Sequence, residues 1–578
     1  MIVILAVVQW NFVKNVDASI PLNLFSRKYY LIAVNFSHKK TWQAPKIKVT
    51  HRLTRQRYFY NRITKKKGCL ENHDTEAAWH YHNGTKHPNG MMLHRPHYYD
   101  PAHRPVPYKI YKDLHTIALP ELKSPTNFPA IKAISTNIKP GGKQVPDVST
   151  LTSILYFSGG ITKTIKFPRI GEFEFRAASC TGALYHIEIY VVCKTITGLA
   201  AGVYHFDPKQ MKLSLLRPGD YRDVLVRASG YDITVKHAPL ILVYTDIFSR
   251  NTVKYQAREY RHAFWDCGTI MANTLAISSA HGLSSKVVAG FVDDSVNSLL
   301  GLNKEKEVSL ALVPIGFTDS VSDQIPDVSQ LQLHTEPISN YDVDYPEIIE
   351  MHEASSLKKL SEVQDWQSNT PKIAIPKAED IIPLLPLAEV HLQNPIENVI
   401  IKRGSARVFS RQSIQFEELS TIIYRSTQGV ASDFLEPYGS SLIDLYMIIN
   451  AVDGLKPGSY VYNRGQNGLQ LLRVGEFRHV AGNLGLDQDL PADSGVSIFL
   501  MSDLNVVLKR FGNRGYRAAH LEASIIMGRF YLASYALKLG ATGLTFYDDS
   551  VTSFFSPHAK DKSTMLLVAI GKKAKILV

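Results

Sequence analysis

The sequence predicts an α+β fold in which one domain occurs twice in tandem and the two copies form an intramolecular pseudo-dimer. Its 578 residues exceed the usual length of one domain, and 45% of them are apolar, as in ordinary globular proteins. Helical and strand-like patterns follow one another in the same order in two parts of the chain. Short motifs also recur at a nearly constant offset, which indicates an internal repeat.

The recurring motifs lie 256 or 255 residues apart. Arg-Glu-Tyr-Arg at 258–261 recurs as Arg-Gly-Tyr-Arg at 514–517, and Phe-Val-Asp-Asp at 291–294 recurs as Phe-Tyr-Asp-Asp at 546–549. Because the order and the spacing of the motifs are both kept, a chance similarity is a poor explanation. A duplication of one domain is predicted.

Each copy is predicted to contain a helix, two strands rich in β-branched residues, a long helix and a closing strand. In the first copy these elements are expected at 151–157, 187–193, 239–245, 260–281 and 309–314. In the second copy they are expected at 416–424, 445–450, 496–501, 516–539 and 565–569. The pattern predicts a helix-flanked sheet, mixed or antiparallel, in each copy.

The domains are expected at 72–316 and 396–578, with a basic leader at 1–71 and an acidic, proline-containing linker at 317–395. Residues 1–70 hold 14 Lys and Arg but one acid, Asp17, and so account for the whole formal charge of +13. The remaining body is neutral, so no nucleic-acid partner is predicted. The apolar start is too short to span a bilayer, so neither a membrane partner nor a signal peptide is predicted. A disordered leader, an organelle-targeting arm and a misplaced start codon remain open alternatives.

The four cysteines, Cys69, Cys180, Cys193 and Cys267, are widely spaced, which argues against a disulfide framework and for a reducing, cytoplasmic location. Histidines are dense between residues 73 and 115, where they alternate with prolines in a loop-like segment. Metal-binding histidines usually recur at helix or hairpin offsets, and these do not. No metal site is predicted.

The segment Lys-Arg-Gly-Ser-Ala-Arg at 402–407 has the parts of a phosphate-binding turn. Arg403 and Arg407 provide guanidinium donors, and Ser405 provides a hydroxyl. Ser413 is a candidate N-cap of a following helix, whose dipole would favour an anion. A basic turn on a solvated surface has the same composition, and the sequence alone leaves that alternative open.

A run of small residues, Ser179, Cys180, Thr181 and Gly182, leads into the strand at 187–193. Its backbone amides either bond a flat heteroaromatic ring or belong to a tight turn needed only for packing. Cys180 is not predicted to be a nucleophile, because no motif places a His or Asp to activate it. His186, after this run, is either an added acid or base or a packed side chain.

Four motifs stand in order in the first copy: Ser-Cys-Thr-Gly-Ala-Leu-Tyr-His at 179–186, Gly-x-x-x-Gly-x-Tyr-His-x-Asp-Pro at 198–208, Lys-Tyr at 254–255 and Gly-Phe-x-Asp-Asp at 290–294. Together they resemble the SagB-type (ThcOx) dehydrogenases of the FMN-dependent nitroreductase-like superfamily. The resemblance covers 72–316 well and 396–573 more loosely. It implies a fold of two nitroreductase-like domains.

The resemblance also implies an FMN held between the two copies. Its phosphate would lie on a basic start like Arg403, Ser405 and Arg407, and the other copy would supply the ring-binding loop of Ser179, Cys180, Thr181 and Gly182. Lys572 and Lys573 either add phosphate contacts, as the family's basic tail does, or belong to a solvated tail. The first copy shows Tyr-Lys-Ile-Tyr at 108–111 in place of the basic start, and the second shows Glu-Pro-Tyr-Gly-Ser-Ser at 436–441 in place of the loop. One composite FMN site and one degenerate site are therefore expected.

Lys254 and Tyr255 match the Lys-Tyr pair of the azole-forming members, which implies proton handling by Tyr255 while the flavin exchanges hydride. The expected function is that of an FMN-dependent oxidoreductase acting on a small molecule or on a ring in a modified peptide. With no Gly-x-Gly-x-x-Gly motif, NAD(P)H is expected only as a transient reductant. The chain is expected to be a monomer. The alternative is a pseudoenzyme, with or without flavin, that acts as a scaffold or partner protein.

Overall fold

Two large antiparallel sheets, one from each half of the sequence, form the framework of the protein. They belong to a computed structural model that describes residues 71–90, 104–167, 171–321, 327–339, 343–368, 378–435 and 439–574. The predicted leader up to residue 70, His94 and His97, and residues 436–438 lie outside the described residues. Nowhere in the described ranges is a helix both long and apolar enough to cross a bilayer.

The first half builds a six-stranded sheet in the order β1-β6-β5-β4-β7-β8, with β2 and β3 as a separate hairpin. The strands are β1 (Thr116–Ala118), β2 (Ile161–Phe167), β3 (Gly171–Arg176), β4 (Ile187–Cys193), β5 (Gly202–Asp207), β6 (Lys212–Pro218), β7 (Leu240–Ile247) and β8 (Glu307–Ile315). The helices are α1 (Glu76–Gly84), α2 (Ala130–Ser135), α3 (Val148–Gly159), α4 (Arg222–Ala228), α5 (Ile233–His237), α6 (Ser249–Tyr255), α7 (Glu259–Ala280) and α8 (Asp293–Leu300).

The second half builds a seven-stranded sheet in the order β9-β14-β13-β11-β15-β17-β16, with β10 and β12 as a separate parallel pair. The strands are β9 (Ile381–Pro383), β10 (Ile414–Gln415), β11 (Asp444–Ile449), β12 (Val452–Asp453), β13 (Gly458–Asn463), β14 (Gly468–Val474), β15 (Val496–Ser502), β16 (Gly540–Leu544) and β17 (Ser563–Gly571). The helices are α9 (Pro346–Ala354), α10 (Leu360–Ser368), α11 (Ile396–Lys402), α12 (Phe416–Ser426), α13 (Arg478–Leu484), α14 (Asp489–Asp493), α15 (Leu504–Phe511), α16 (Arg514–Ala536) and α17 (Asp548–Phe555).

The two sheets share one strand order. The run β6-β5-β4-β7-β8 corresponds to β14-β13-β11-β15-β17, and all of these pairings are antiparallel. Cys193 lies opposite Leu240, and Ile449 lies opposite Val496, so the central register agrees at an offset of 256. The predicted helices and strands are confirmed to within a few residues, and both sheets are antiparallel.

The long helices α7 and α16 pack against each other between the halves, and small residues let them approach closely. A Cβ on Gly268 would lie 1.8 Å from Ser524 Oγ, and a Cβ on Gly528 would lie 2.5 Å from Ala272 Cβ. Ser524 and Gly528 stand 256 residues after Gly268 and Ala272. The contact is therefore reciprocal, as in an isologous interface.

Buried salt bridges cross between the halves with the same reciprocity. Arg514 and Arg517 at the start of α16 donate to Asp293 of α8 at 2.7 and 2.8 Å. In the opposite direction, Arg258 and Arg261 near the start of α7 donate to Asp548 of α17 at 3.1 and 2.7 Å. These arginines belong to the repeated motif of the sequence. Their repetition reflects this interface.

Part of the predicted linker belongs to the folded core. Helix α9 packs beside α1. The Thr85 hydroxyl after α1 accepts a hydrogen bond from Arg261, and the Ser355 hydroxyl after α9 accepts one from Arg517. In the second half, α9 thus occupies the place that α1 occupies in the first. The sequence suggested only a spacing role for this segment.

The turn equivalent to 402–407 is not at 108–111, where the sequence comparison placed it. Pro129 and Pro395 pair with each other directly before α2 and α11, so these two helices correspond. Thr136, the C-cap of α2, therefore corresponds to Arg403, the C-cap of α11. The paired prolines stand 266 residues apart and not 255 or 256, so the two halves have different lengths before this point and the motif offset gives no guide here.

Candidate functional site

Arg403 joins the two predicted binding segments. It follows α11 in the second half, and its side chain reaches the small-residue loop of the first half, here residues 176–185, which include the run at 179–182. Nη2 donates to the carbonyl oxygens of Arg176 and Ala177 at 2.9 Å, and Nε donates to that of Ala177 at 3.1 Å. The turn at 403–407 and the small-residue loop therefore lie side by side.

The loop has an unusual backbone that its neighbours hold in place. Gly182, Ala183 and Tyr185 have φ values of +63°, +53° and +50°. Such values are rare for residues with a side chain and persist only where contacts enforce them. Arg104 donates to the carbonyl oxygen of Ala183 at 2.8 Å, and Arg250 donates to that of Tyr185 at 3.1 Å. The loop is thus shaped before any ligand binds.

Lys254 and Tyr255 lie against this loop. A Cβ built on Gly182 would lie 2.9 Å from Tyr255 Oη and 3.3 Å from Lys254 Nζ, so a side chain here would displace this pair. The φ of +63° also favours glycine at this position. Partial burial and the guanidinium groups of Arg104 and Arg407 lower the pKa of Lys254. Cationic side chains from both halves converge here, an arrangement that favours an anionic ligand.

The turn at 403–407 follows a helix and does not precede one. Arg403 is the C-cap of α11, and the next helix, α12, has Gln415 as its N-cap in a capping box with Glu418. Ser413 is therefore not an N-cap. The expected help from a helix dipole is wrong, and any anion on this turn is held by side chains.

The side chains of the turn, and of the residues that follow β17, contact α16. Ser405 Oγ lies 3.1 Å from Tyr531 Oη, and the ammonium of Lys573 lies 4.6 Å from the ring centre of Tyr535. Tyr535 Oη in turn lies beside the glycine of the turn. The predicted Lys572 pairs through its backbone carbonyl with the segment after the turn. Of the two predicted lysines, Lys573 is the one whose ammonium lies near the turn.

The polar groups of the small-residue loop point inward to Asp266 on α7. Thr181 donates its amide at 2.9 Å and its hydroxyl at 2.7 Å, and the Cys180 thiol donates at 3.0 Å. The expectation that this loop offers its amides to a ring therefore fails for Thr181. Burial and the Asp266 carboxylate raise the pKa of the Cys180 thiol, which keeps it protonated.

Asp266 is in turn bound to His186, which is fully buried. His186 Nε2 lies 2.8 Å from Asp266, and Nδ1 lies 2.7 Å from Asp246 and 3.3 Å from Glu259. Burial alone would lower the pKa of His186, but Asp246 and the hydrogen bonds to all three acids raise it well above its usual value. With a carboxyl group facing each ring nitrogen, His186 is an imidazolium.

Sequence reasoning missed Asp266, Asp246 and Glu259, whose partners are distant in sequence. One signal was available, because Asp266 and Glu522 are acids 256 residues apart on the two long helices. Glu522 also ties down a loop, accepting the amide of Leu442 at 2.7 Å. An acid that recurs on a buried helix face indicates a repeated tether.

The donor set of this site fits a phosphate-bearing flavin. The guanidinium of Arg407, the hydroxyl of Ser405 and the ammonium of Lys254 suit a phosphate. Burial lowers the pKa of the Lys254 ammonium, and Arg407 lies close enough to lower it further. Two neighbouring cations, one from each half, favour an anion bound beside them.

Comparison with known proteins finds a family match within the first half. Residues 158–317 match the nitroreductase family. A Methanocaldococcus jannaschii protein assigned to the nitroreductases is 26% identical over 166 residues, which are 29% of this chain and 78% of that protein. The Microcin B17-processing protein McbC of Escherichia coli is 29% identical over 147 residues, 25% of this chain. The match spans 53% of McbC, about half of its length.

A solved structure shares the arrangement of both halves. The crystal structure of a protein assigned to the nitroreductases, from Anabaena variabilis, aligns with 86% of this chain and 99% of its own, with a TM-score of 0.68 and 23% sequence identity. At that identity the likeness concerns the fold. The family match indicates a nitroreductase-family domain at residues 158–317, and the structural likeness adds that both halves share the fold of that protein.

Proposed function

We propose that the chain is a tandem duplication that works as an FMN-dependent oxidoreductase, with one composite site built by both halves. The observation that carries the proposal is the contact of Arg403 with the loop carbonyls, which joins the basic turn of one half to the small-residue loop and Lys-Tyr pair of the other. FMN, when bound, supplies a ring that accepts or donates hydride.

The residues of the chain have distinct roles in this proposal. Arg407, Ser405 and Lys573 hold the phosphate as charged and hydroxyl donors, and the Lys254 ammonium near Arg407 adds to the positive charge there. Tyr255 exchanges a proton with the substrate at its phenol oxygen. The Lys254 ammonium, 5.2 Å from the centre of the Tyr255 ring, stabilises negative charge that develops on that oxygen.

The equivalent place between the halves supports one flavin per chain. Phe511 stands 256 residues after Tyr255, and Trp366 packs on it with ring centres 4.7 Å apart. The Trp366 indole donates to Asp433 at 3.0 Å, and Asp433 also accepts the amides of Ala289 and Gly290. Trp366 is 3% exposed. The space that corresponds to the composite site is therefore filled by the protein itself.

Two substrate classes are consistent with the site, a reducible small molecule and a five-membered ring in a modified peptide. The peptide class is supported by the similarity to McbC, a relative named for processing microcin B17. It is also supported by Lys254 and Tyr255, which match the pair of the azole-forming dehydrogenases that the sequence resembles. We place the peptide class first, and a partner enzyme that forms the ring belongs to that proposal.

The test is the flavin content of the full-length chain. The purified protein is scanned in the visible range, the chromophore is released by heat, and FMN is quantified per chain. We expect one FMN per chain. Arg407→Ala should weaken FMN binding by roughly tenfold to a hundredfold, because a hydrogen bond to a charged group contributes about 1.5–3 kcal/mol.

Two matched variants serve as controls. Arg411→Ala removes a nearby exposed arginine that pairs with Asp493, and Arg510→Ala removes the counterpart of Lys254 in the second half. Both should retain FMN, whereas Lys254→Ala should weaken it. A wild-type chain that binds no FMN even in excess would contradict the oxidoreductase and support a scaffold.

A further inference from the structure

We infer that His186, held between Asp266 and the pair Asp246 and Glu259, is a positioning residue that fixes the small-residue loop against Lys254 and Tyr255. This inference rests on the proposed function, because it concerns the geometry of the same composite site. His186, Asp246 and Glu259 act through Asp266, which the loop residues Thr181 and Cys180 contact.

The chain of contacts runs from the interior to the site without a break. Asp246 at the end of β7 faces one nitrogen of His186, and Asp266 on α7 faces the other. Asp266 then accepts hydrogen bonds from the amide and the hydroxyl of Thr181. The next residue, Gly182, carries the surface that meets Tyr255 Oη. A rotation of Asp266 would thus be transmitted to the Lys-Tyr pair within two residues.

The imidazolium of His186 is needed because the hydrogen bonds from the loop offset only part of the negative charge of Asp266. Asp246, Asp266 and Glu259 are all buried, and burying unpaired carboxylates is very unfavourable. Burial and Asp246 raise the pKa of Glu259 well above its usual value, which leaves Glu259 protonated. His186 then bridges two carboxylates. With the cation in place, Asp266 has a fixed rotamer and can hold the strained loop.

The second half shows that the fold does not require this cluster. At the register of β4 and β11, the positions of His186, Asp246 and Glu259 correspond to Leu442, Ser502 and Gly515. The second sheet forms with these neutral residues. The ionic cluster therefore occurs in the half whose loop faces Lys254 and Tyr255, where loop geometry matters for chemistry.

The experiment transplants the neutral pattern into the first half of the full-length chain. The triple variant is His186→Leu, Asp246→Ser, Glu259→Gly. It removes the imidazolium together with two of the acids that face it, so the variant is expected to fold. His186→Leu alone would leave those buried acids without their cation. Glu522→Gln is the matched control, because it perturbs the equivalent tether of the other half. Unfolding midpoints in urea check that each variant is folded.

Two measurements report on the loop. The first is the rate at which iodoacetamide alkylates Cys180 in the flavin-free protein, measured by peptide mass spectrometry, since the thiol is now held inward by Asp266. The second is the dissociation constant of FMN. In the triple variant we expect Cys180 alkylation to rise at least tenfold and FMN binding to weaken by roughly tenfold, as misplacement of a preorganised site predicts. Glu522→Gln should change neither.

A folded triple variant with wild-type alkylation of Cys180 and wild-type FMN affinity would overturn the inference, and His186 would then be a packed core residue. Failure of the proposed function looks different. In that case the wild-type chain binds no FMN, while Cys180 alkylation still rises in the triple variant, so the role of His186 in loop positioning stands and the flavin site falls.

Discussion

Replacing Asp548 with Asn tests whether the crossed salt bridges hold the two halves together. The carboxylate of Asp548 accepts hydrogen bonds from Arg258, Arg261 and the backbone amide of His87 at 3.1, 2.7 and 2.9 Å. Its side chain is 2% exposed. Asn keeps the shape and one acceptor but removes the charge, so two buried guanidinium groups lose their counter-ion.

The expected cost is about 3–5 kcal/mol, the range for removing one partner of a buried ion pair. Asp293→Asn should cost nearly the same, because Asp293 accepts from Arg514, Arg517 and the amide of Leu357 at 2.7, 2.8 and 2.9 Å. We expect the two values to agree within about 1 kcal/mol, since the groups lost are the same in kind and number. This agreement is the specific consequence of a two-fold related interface.

Urea unfolding of the full-length chain, followed by tryptophan fluorescence, measures both costs. Asp549→Asn is the control, because Asp549 is the neighbouring acid, is 78% exposed and pairs with Lys86 at the surface. Its loss should cost less than about 1 kcal/mol. If Asp548→Asn were as mild as Asp549→Asn, or if Asp293→Asn alone were costly, the reciprocal interface would not be what holds the halves together.

Two further predictions concern the loops of the two halves. Gly182→Ala should slow any reaction that depends on Tyr255, because the added Cβ would lie 2.9 Å from the phenol oxygen. Gly439→Ala is its control in a steady-state assay, since Gly439 also has a positive φ, but no atom of the described residues lies within 4 Å of an added Cβ. Glu522→Gln should remove a pH dependence of stability, because burial raises the pKa of Glu522 from 4.5 to about 7. Between pH 4.5 and about 7 this carboxyl is ionised in the unfolded wild-type chain but protonated in the folded one, so the free energy of unfolding should fall by about 3 kcal/mol as the pH rises. It should not fall in the variant. If the urea midpoints of the two proteins ran parallel from pH 4 to 8, this prediction would be refuted.

The sequence predicted the strands and long helices well because their signals are local. Strand β4 was predicted with both ends correct, since its run of apolar, β-branched residues is buried on both faces. The contact of the Lys254–Tyr255 pair with Gly182 agrees with the site that the resemblance implied. The roles of all the predicted site residues, this pair included, stay predictions.

What the sequence did not reveal depends on partners far along the chain. Helix α9 was interpreted as part of a linker because its offset from α1 is 270, the spacing between Thr85 and Ser355, and not 256. Trp366 carries no motif, and its packing on Phe511 follows only from the folded chain. His186 could be read as packed or ionised, and the choice depended on three acids that no local pattern connects with it.

The two halves together separate what folding requires from what the site requires. Both halves keep the arginine pair, the crossed aspartate and the close helix contact, so these features belong to the fold. The first half has Lys254 and Tyr255 where the second has Arg510 and Phe511. It also has His186 where the second has Leu442. The fold tolerates the second set, since the second sheet forms with it. The residues present only beside the small-residue loop therefore need another explanation, and a single site of chemistry at that loop provides one.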